Sequence, residues 1–180
     1  MERDAPPILI LTGPPGAGKT TLARKLTQEA GRPATHIHSD DFFTYIRSGY
    51  IVPWLSESAH QNQTISRALA AAACAYAAGG YWVVMDGVVG PWHLDMYRDE
   101  RRRSGIALDY VVLRPAREIA VSRARDREVS PLPDYPPHIY EGLSALGAFE
   151  PHALDTTALD TAATAARVLA GLAEGRFRLA

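Results

Sequence analysis

Short apolar runs alternate with longer stretches of helical character along this chain of 180 residues. The runs are almost continuously hydrophobic, as expected for strands buried inside a parallel sheet. They predict strands at residues 8–12, 34–39, 81–87, 108–113 and 152–156. The stretches between them predict helices from 19 to about 30 and at 56–78, 92–104, 116–127, 138–146 and 159–172. Strands that alternate with helices predict an α/β protein whose parallel sheet carries helices on both faces.

A glycine-rich turn joins the first predicted strand to the first predicted helix. Its sequence, GPPGAGKT at residues 13–20, fits the pattern G-x-x-x-x-G-K-[ST] of a phosphate-binding loop. Backbone N–H groups of such a loop surround phosphate oxygens, and the helix N-terminus adds the positive end of its dipole. Lys19 would reach the β- and γ-phosphates, and the Thr20 hydroxyl would ligate Mg²⁺. The predicted nucleotide-binding residues here are Gly13, Pro14, Pro15, Gly16, Ala17, Gly18, Lys19, Thr20 and Thr21.

Composition narrows the class of protein. The net charge of −1 gives no electrostatic drive toward nucleic acid or an anionic membrane. The length fits a single domain spanning residues 1–180. Cys74 is the only cysteine, so no internal disulfide is possible, and no apolar segment reaches transmembrane length. We therefore expect a cytoplasmic protein that binds neither nucleic acid nor membrane, with its oligomeric state open.

Two acidic residues fall where ligands bind in parallel sheets, at the carboxyl ends of strands. Asp86 ends a run of apolar residues in the Walker-B manner, which would place its carboxylate beside Mg²⁺. Asp40 follows the second predicted strand and would accept a proton from an attacking hydroxyl or help to hold Mg²⁺. An acid here could instead cap the next helix, a role that we assign to Asp41.

A pair of arginines and a proline-rich segment predict a lid. Arg123 and Arg127 are spaced i, i+4 and so share one helix face. Residues 130–137, which follow, contain four prolines. A lid at about 124–140 would close over the phosphates and exclude water. The alternative is a solvated basic face paired with neighbouring acids.

Aromatic residues flank both acids and could wall a pocket for a partly apolar small molecule. We expect one or two of them to do so, from the set Phe42, Phe43, Tyr45, Tyr50, Trp54 and Trp92. His36 and His38 are two residues apart on a strand and have no cysteine cluster beside them. This spacing predicts no zinc site.

Together these residues resemble the P-loop small-molecule kinases of the nucleoside-monophosphate-kinase-like group. That group includes adenylate, gluconate and shikimate kinases and the chloramphenicol phosphotransferases. SDDFF at 39–43 looks like the acid after the second strand in chloramphenicol phosphotransferase, and VMDG at 84–87 is similar to L-L-D-G of adenylate kinases. The arginine that follows there is absent here, where VVGPW stands at 88–92, and this argues against a nucleoside-monophosphate acceptor.

The resemblance also assigns the lid and the adenine side. Arg123 and Arg127 match the R-x-x-x-R lid entry, in which the first arginine lies against adenine and the second meets phosphates. Residues 155–157 (DTT) resemble the last-strand loop that neighbours adenine, which points to Thr156. The implied fold is a three-layer P-loop NTPase fold with a five-stranded parallel sheet of order 2-3-1-4-5 and a mobile lid.

The implied activity is an ATP- and Mg²⁺-dependent phosphotransferase. It would transfer the γ-phosphate to a hydroxyl of a small molecule, such as an antibiotic, a sugar-like or a nucleoside-like compound. Lys19, Asp40 and Arg127 would be catalytic, and Thr20, Asp40 and Asp86 would hold the metal. One alternative is a nucleoside or nucleotide kinase. Another is an ATP-binding switch or slow ATPase that acts through a partner protein.

Overall fold

A parallel sheet of five strands forms the centre of the molecule, with the strand order β2-β3-β1-β4-β5. The computed structural model describes residues 5–125 and 137–179. The strands are β1 (Ile8–Thr12), β2 (Ala34–His38), β3 (Trp82–Asp86), β4 (Leu108–Leu113) and β5 (Ala153–Leu154). Neighbouring strands pair in parallel throughout. The predicted fold class and strand order are confirmed.

Seven α-helices lie within the described ranges. They are α1 (Lys19–Gln28), α2 (Ser39–Thr44), α3 (Ala59–Ala78), α4 (Leu94–Ser104), α5 (Arg117–Arg125), α6 (Pro137–Ser144) and α7 (Thr161–Ala173). Short 3-10 helices cover Ser56–Ser58, Pro91–His93 and Gly147–His152. None of the helices described here is long and apolar enough to cross a membrane.

Two hydrophobic clusters pack on opposite faces of the sheet. Alternate residues of a strand point to opposite faces. Ile8 and Ile10 therefore belong to the cluster that includes residues of α3 and α4, and Leu9 and Leu11 to the cluster with α1 and α7. Because both faces are covered, every residue of β1 is buried. This layering explains why the strand is apolar without alternation.

The last strand, β5, is shorter than the sequence predicts. Residues 152–156 are predicted as a strand, but only Ala153–Leu154 pair with β4. Pro151 lies in the preceding 3-10 helix and has no N–H to offer to a strand ladder.

Nearer the start of β4, residues 177–179 pair with the part of the strand that β5 leaves uncovered. Asp109 and Arg178 form an antiparallel bridge, and Tyr110 N donates to Phe177 O over 2.8 Å. Leu179 N donates to Leu108 O over 2.9 Å. The sequence does not predict this pairing.

Candidate active site

The glycine-rich loop runs between β1 and α1 and is packed tightly. A Cβ on Gly16 would lie 1.9 Å from the carbonyl oxygen of Ala120, and the φ of Gly16 is +81°. Both facts require glycine at this position. Lys19 Nζ donates to the carbonyls of Gly13 (3.0 Å) and Pro14 (3.1 Å). No side chain caps the start of α1 at Gly18, and a helix N-terminus in this position is suited to bind an anion.

The loop meets the end of β3 through one hydrogen bond. Thr20 Oγ1 donates to Asp86 Oδ2 over 2.7 Å. Asp86 has no exposed surface, and Leu11 of β1 lies beside it in the sheet. A threonine hydroxyl and a carboxylate are oxygen ligands of the kind that Mg²⁺ prefers. Two of the three predicted metal residues are therefore adjacent and chemically suited to Mg²⁺.

Two histidines of β2 contact the other oxygen of the same carboxylate. His36 Nε2 lies 2.5 Å and His38 Nδ1 lies 3.1 Å from Asp86 Oδ1. Burial alone would raise the pKa of Asp86, but hydrogen bonds from both histidines and Thr20 outweigh it and hold this pKa well below its usual value. In turn, the hydrogen bond to Asp86 raises the pKa of His38.

The histidine pair forms a cluster with Asp86 that the spacing of the two histidines in the sequence did not indicate. Residues two apart on a strand point to the same face, and His38 lies opposite Asp86 in the β2–β3 register. One ligand atom from each of His36, His38 and Asp86 lies within 4.8 Å of the others, so the three could hold a metal ion. The H-x-H spacing on β2 is a signal for such a cluster. It identifies Asp86 as the third residue only when the register of β2 on β3 is known.

Asp40 lies on the far side of His38. Its Oδ2 is 3.7 Å from His38 Nε2, and Ser39 Oγ donates to its Oδ1 over 3.2 Å. The Asp40 side chain is 58% exposed, which leaves it accessible to a substrate. A Cβ on Gly87 would lie 1.9 Å from Ser39 Oγ. The end of β3 and the start of α2 are thus in direct contact, which fixes Asp40 relative to Asp86.

The predicted capping role of Asp41 is wrong. Helix α2 begins at Ser39, so Asp40 and Asp41 both lie in its first turn, and no side chain caps it. Negative charges in a first turn interact favourably with the helix dipole.

A cavity of about 630 Å³ opens beside Asp40. It lies between α2, α3 and the segment after β3, and most of its lining is hydrophobic. More of the predicted aromatic residues line it than the one or two expected. They are Phe43, Tyr50, Trp54 and Trp92, whereas Phe42 and Tyr45 do not.

Another cavity, of about 410 Å³, lies against the glycine-rich loop, and its described lining residues are different from those of the cavity beside Asp40. Gly18, Thr21, Arg123 and Thr156 all line it. The structure therefore brings Arg123 and Thr156, which the resemblance assigns to the adenine side, next to Gly18 and Thr21 of the predicted phosphate-binding stretch. Arg127 and most of the predicted lid lie outside the described residues.

The fold and the loop define a P-loop NTPase. The chain belongs to a family described as AAA domain (AAA_33), whose model matches residues 8–134. A comparison with curated proteins found no sequence match.

Solved structures share this fold over nearly their whole length. The Mycobacterium tuberculosis APS kinase CysC, in complex with AMPPNP and APS, has a TM-score of 0.66 at 16% identity and covers 95% of this chain and 99% of its own. A gluconokinase from Sinorhizobium meliloti has a TM-score of 0.65 at 20% identity, covering 96% and 94%. The Deinococcus radiodurans tunicamycin resistance protein has 0.64 at 19% identity, covering 93% and 95%. The resemblance to P-loop kinases is confirmed at the level of the fold.

Proposed function

We propose that this protein is an ATP- and Mg²⁺-dependent kinase that phosphorylates a hydroxyl group of a small molecule. One observation carries the proposal. Asp40 lines the large cavity, and His38 links it to Asp86, which contacts Thr20 of the glycine-rich loop. The imidazole of His38 therefore lies between Asp40, a candidate general base for the acceptor, and Asp86, a candidate metal ligand. The names of the structural neighbours, which include APS kinase and gluconokinase, agree with this class of activity.

The donor half of the site would hold the triphosphate. On nucleotide binding, Lys19 would exchange its contacts with Gly13 O and Pro14 O for the β- and γ-phosphates. The loop amides and the start of α1 would bind the remaining phosphate oxygens. Thr20 and Asp86 would hold Mg²⁺, which when bound supplies positive charge at the phosphates. The adenine ring of ATP would lie in the smaller cavity, in contact with Thr21, Arg123 and Thr156.

The acceptor half would activate the hydroxyl. Asp40 would take the hydroxyl proton while the acceptor oxygen forms a bond to the γ-phosphorus. The bond from that phosphorus to the β–γ bridging oxygen breaks, and ADP leaves. We infer that Arg127 neutralises the developing charge when the lid closes. His38 would keep the Asp40 carboxylate in position through its contact with Asp86.

Acceptor-dependent release of ADP tests the proposal. The purified protein would be given ATP, Mg²⁺ and a panel of hydroxyl compounds, and ADP would be measured with and without each compound. Under the proposal, at least one compound raises ADP release and becomes phosphorylated, as seen by mass spectrometry. Steady ADP release that no compound changes, and that a protein partner stimulates, would support the switch or slow ATPase instead.

A further inference from the structure

We propose that the cavity beside Asp40 selects a neutral alcohol with a large apolar or aromatic body. This inference rests on the proposed kinase function and names the acceptor class. The volume of about 630 Å³ falls within the range of sites for drug-sized ligands. The hydroxyl group would lie at Asp40 and the apolar body would extend away from it.

The walls of the cavity favour an apolar body. Ile65, Leu69 and Tyr97, on α3 and α4, are buried core residues that line it. Two large aromatic side chains that also line it keep about half of their surface exposed, Trp92 at 51% and Tyr50 at 50%. Covering such surface stabilises a complex roughly in proportion to the apolar area removed from water. A polyol would gain little of this and would lose hydration at its hydroxyl groups.

The Trp92 ring is held in a defined place. A Cβ on Gly90 would lie 2.3 Å from the ring, and a Cβ on Gly142 would lie 2.6 Å from it. The indole therefore packs directly on the backbone of both glycines, one before the 3-10 helix and one in α6. A fixed aromatic surface is a suitable platform for a flat ligand ring.

The charges around the cavity disfavour an anionic acceptor. Among the lining residues that the structure describes, there is no lysine or arginine, and Asp40 carries the only formal charge. His93 also lines the cavity, and burial lowers the pKa of its imidazole, which keeps it neutral near pH 7. A phosphate or carboxylate on the acceptor would find no cationic side chain among these described lining residues and would be repelled by Asp40.

Three small probe molecules distinguish the possible classes of acceptor. Naphthalenemethanol is a neutral aromatic alcohol, naphthoate is its anionic counterpart, and sorbitol is a neutral polyol. Binding to the full chain would be measured by isothermal titration and ligand-observed NMR without ATP, so that the result does not depend on turnover. We expect naphthalenemethanol to bind at least about tenfold more tightly than the other two.

Two variants and one control tie the selectivity to this cavity. Trp92→Ala should weaken naphthalenemethanol binding by about tenfold. Thr44→Arg places a cation at a lining position and should raise the affinity for naphthoate by a similar factor. Tyr76→Ala removes an aromatic ring that is also about half exposed, on α3 but outside the cavity lining, and should change neither affinity. Circular dichroism would confirm that each variant is folded.

The outcomes are separable from those of the kinase test. Equal binding of the three probes, tighter binding of naphthoate or sorbitol, or no binding of naphthalenemethanol would overturn the acceptor class. So would phosphorylation of an anionic acceptor or a polyol in preference to aromatic alcohols, although the kinase function would then stand. Selective binding of naphthalenemethanol without acceptor-dependent ADP release would support the selectivity of the cavity and contradict the kinase.

Discussion

Thr20 and Asp86 are 66 residues apart in the sequence, and a hydrogen bond of 2.7 Å joins their side chains. The bond links the first turn of α1 to the carboxyl end of β3. A hydroxyl and a carboxylate in this relation can share a cation without rearrangement of the backbone. The relation thus supports the metal assignment that the sequence could only infer from two separate motifs.

Replacing the Thr20 hydroxyl tests this assignment. Thr20→Val keeps the shape of the side chain but removes the oxygen, so we expect the Mg²⁺ concentration for half-maximal activity to rise about tenfold. Thr20→Ser keeps the hydroxyl and should stay close to the wild type. A Mg²⁺ titration of ATP turnover measures both. An unchanged requirement in Thr20→Val would exclude Thr20 as a ligand.

Lys19→Ala should weaken both nucleotide binding and turnover. The side chain is largely buried in the loop, and we expect turnover to fall on the order of a hundredfold because one cation at the phosphates is lost. The other lysine of the chain supplies the control. Lys25 lies in the last turn of the same helix and pairs with Glu29 at 2.6 Å, so Lys25→Ala should bind nucleotide normally. Intact turnover in Lys19→Ala would contradict the phosphate-loop assignment.

Asp40→Asn should abolish most phosphoryl transfer while ATP binding persists. Asparagine cannot take up the hydroxyl proton, so we expect a loss of about a hundredfold or more in turnover. The adjacent Asp41→Asn is the matched control, since it makes the same charge change within the same helical turn. Nucleotide affinity and turnover would be measured on both. If the two variants lost equal activity, a general charge effect would explain the result and Asp40 would not be the base.

Gly87→Ala should destabilise the junction between β3 and α2. The new Cβ would lie 1.9 Å from Ser39 Oγ, and forcing an extra methyl group into a packed site costs about 1–3 kcal/mol. Chemical denaturation would measure the loss in the free energy of unfolding. Ser39→Gly in the same chain removes the clashing atoms and should recover part of it. Equal destabilisation with and without Ser39→Gly would show that the contact is not the cause.

Zn²⁺ should inhibit the enzyme through the β2 histidines. His36, His38 and Asp86 offer nitrogen and carboxylate ligands of the type that Zn²⁺ takes, and binding there would compete with Thr20 for Asp86. We expect inhibition in the presence of saturating Mg²⁺ and ATP, with weaker inhibition in His36→Ala and His38→Ala. His60→Ala, exposed on α3, is the control. The same Zn²⁺ sensitivity in all variants would place the inhibitory site elsewhere.

The sequence predicts those parts of the molecule that depend on local pattern. The loop at 13–20, the buried strands and the acid at the end of β3 each leave a signal within a few residues. Strand order follows from the resemblance that these signals carry together. The aromatic residues near the two acids predict a pocket beside Asp40, but they do not predict its full lining, because chain segments far apart in sequence form it.

The remaining features depend on contacts between distant segments. The His36–Asp86 contact needs the register of β2 on β3, which the spacing of residues within one strand does not contain. Helix α2 begins at Ser39, three residues before the start that a cap at Asp41 would give, and this places Asp41 in the first turn. The segment at 177–179 is too short to show a periodicity, so its pairing with β4 could not be predicted.

The segment at 177–179 also determines how much of the β4 edge is open to pairing with another chain. β5 covers only the end of β4 at Val112 and Leu113, and Phe177 and Leu179 satisfy the backbone groups of Leu108 and Tyr110. If a fusion or truncation displaced the segment, part of β4 would present unpaired backbone N–H and C=O groups, which are a template for edge-to-edge association. The last residues described here therefore cover the part of β4 that such association would need, near the edge of the sheet opposite β2.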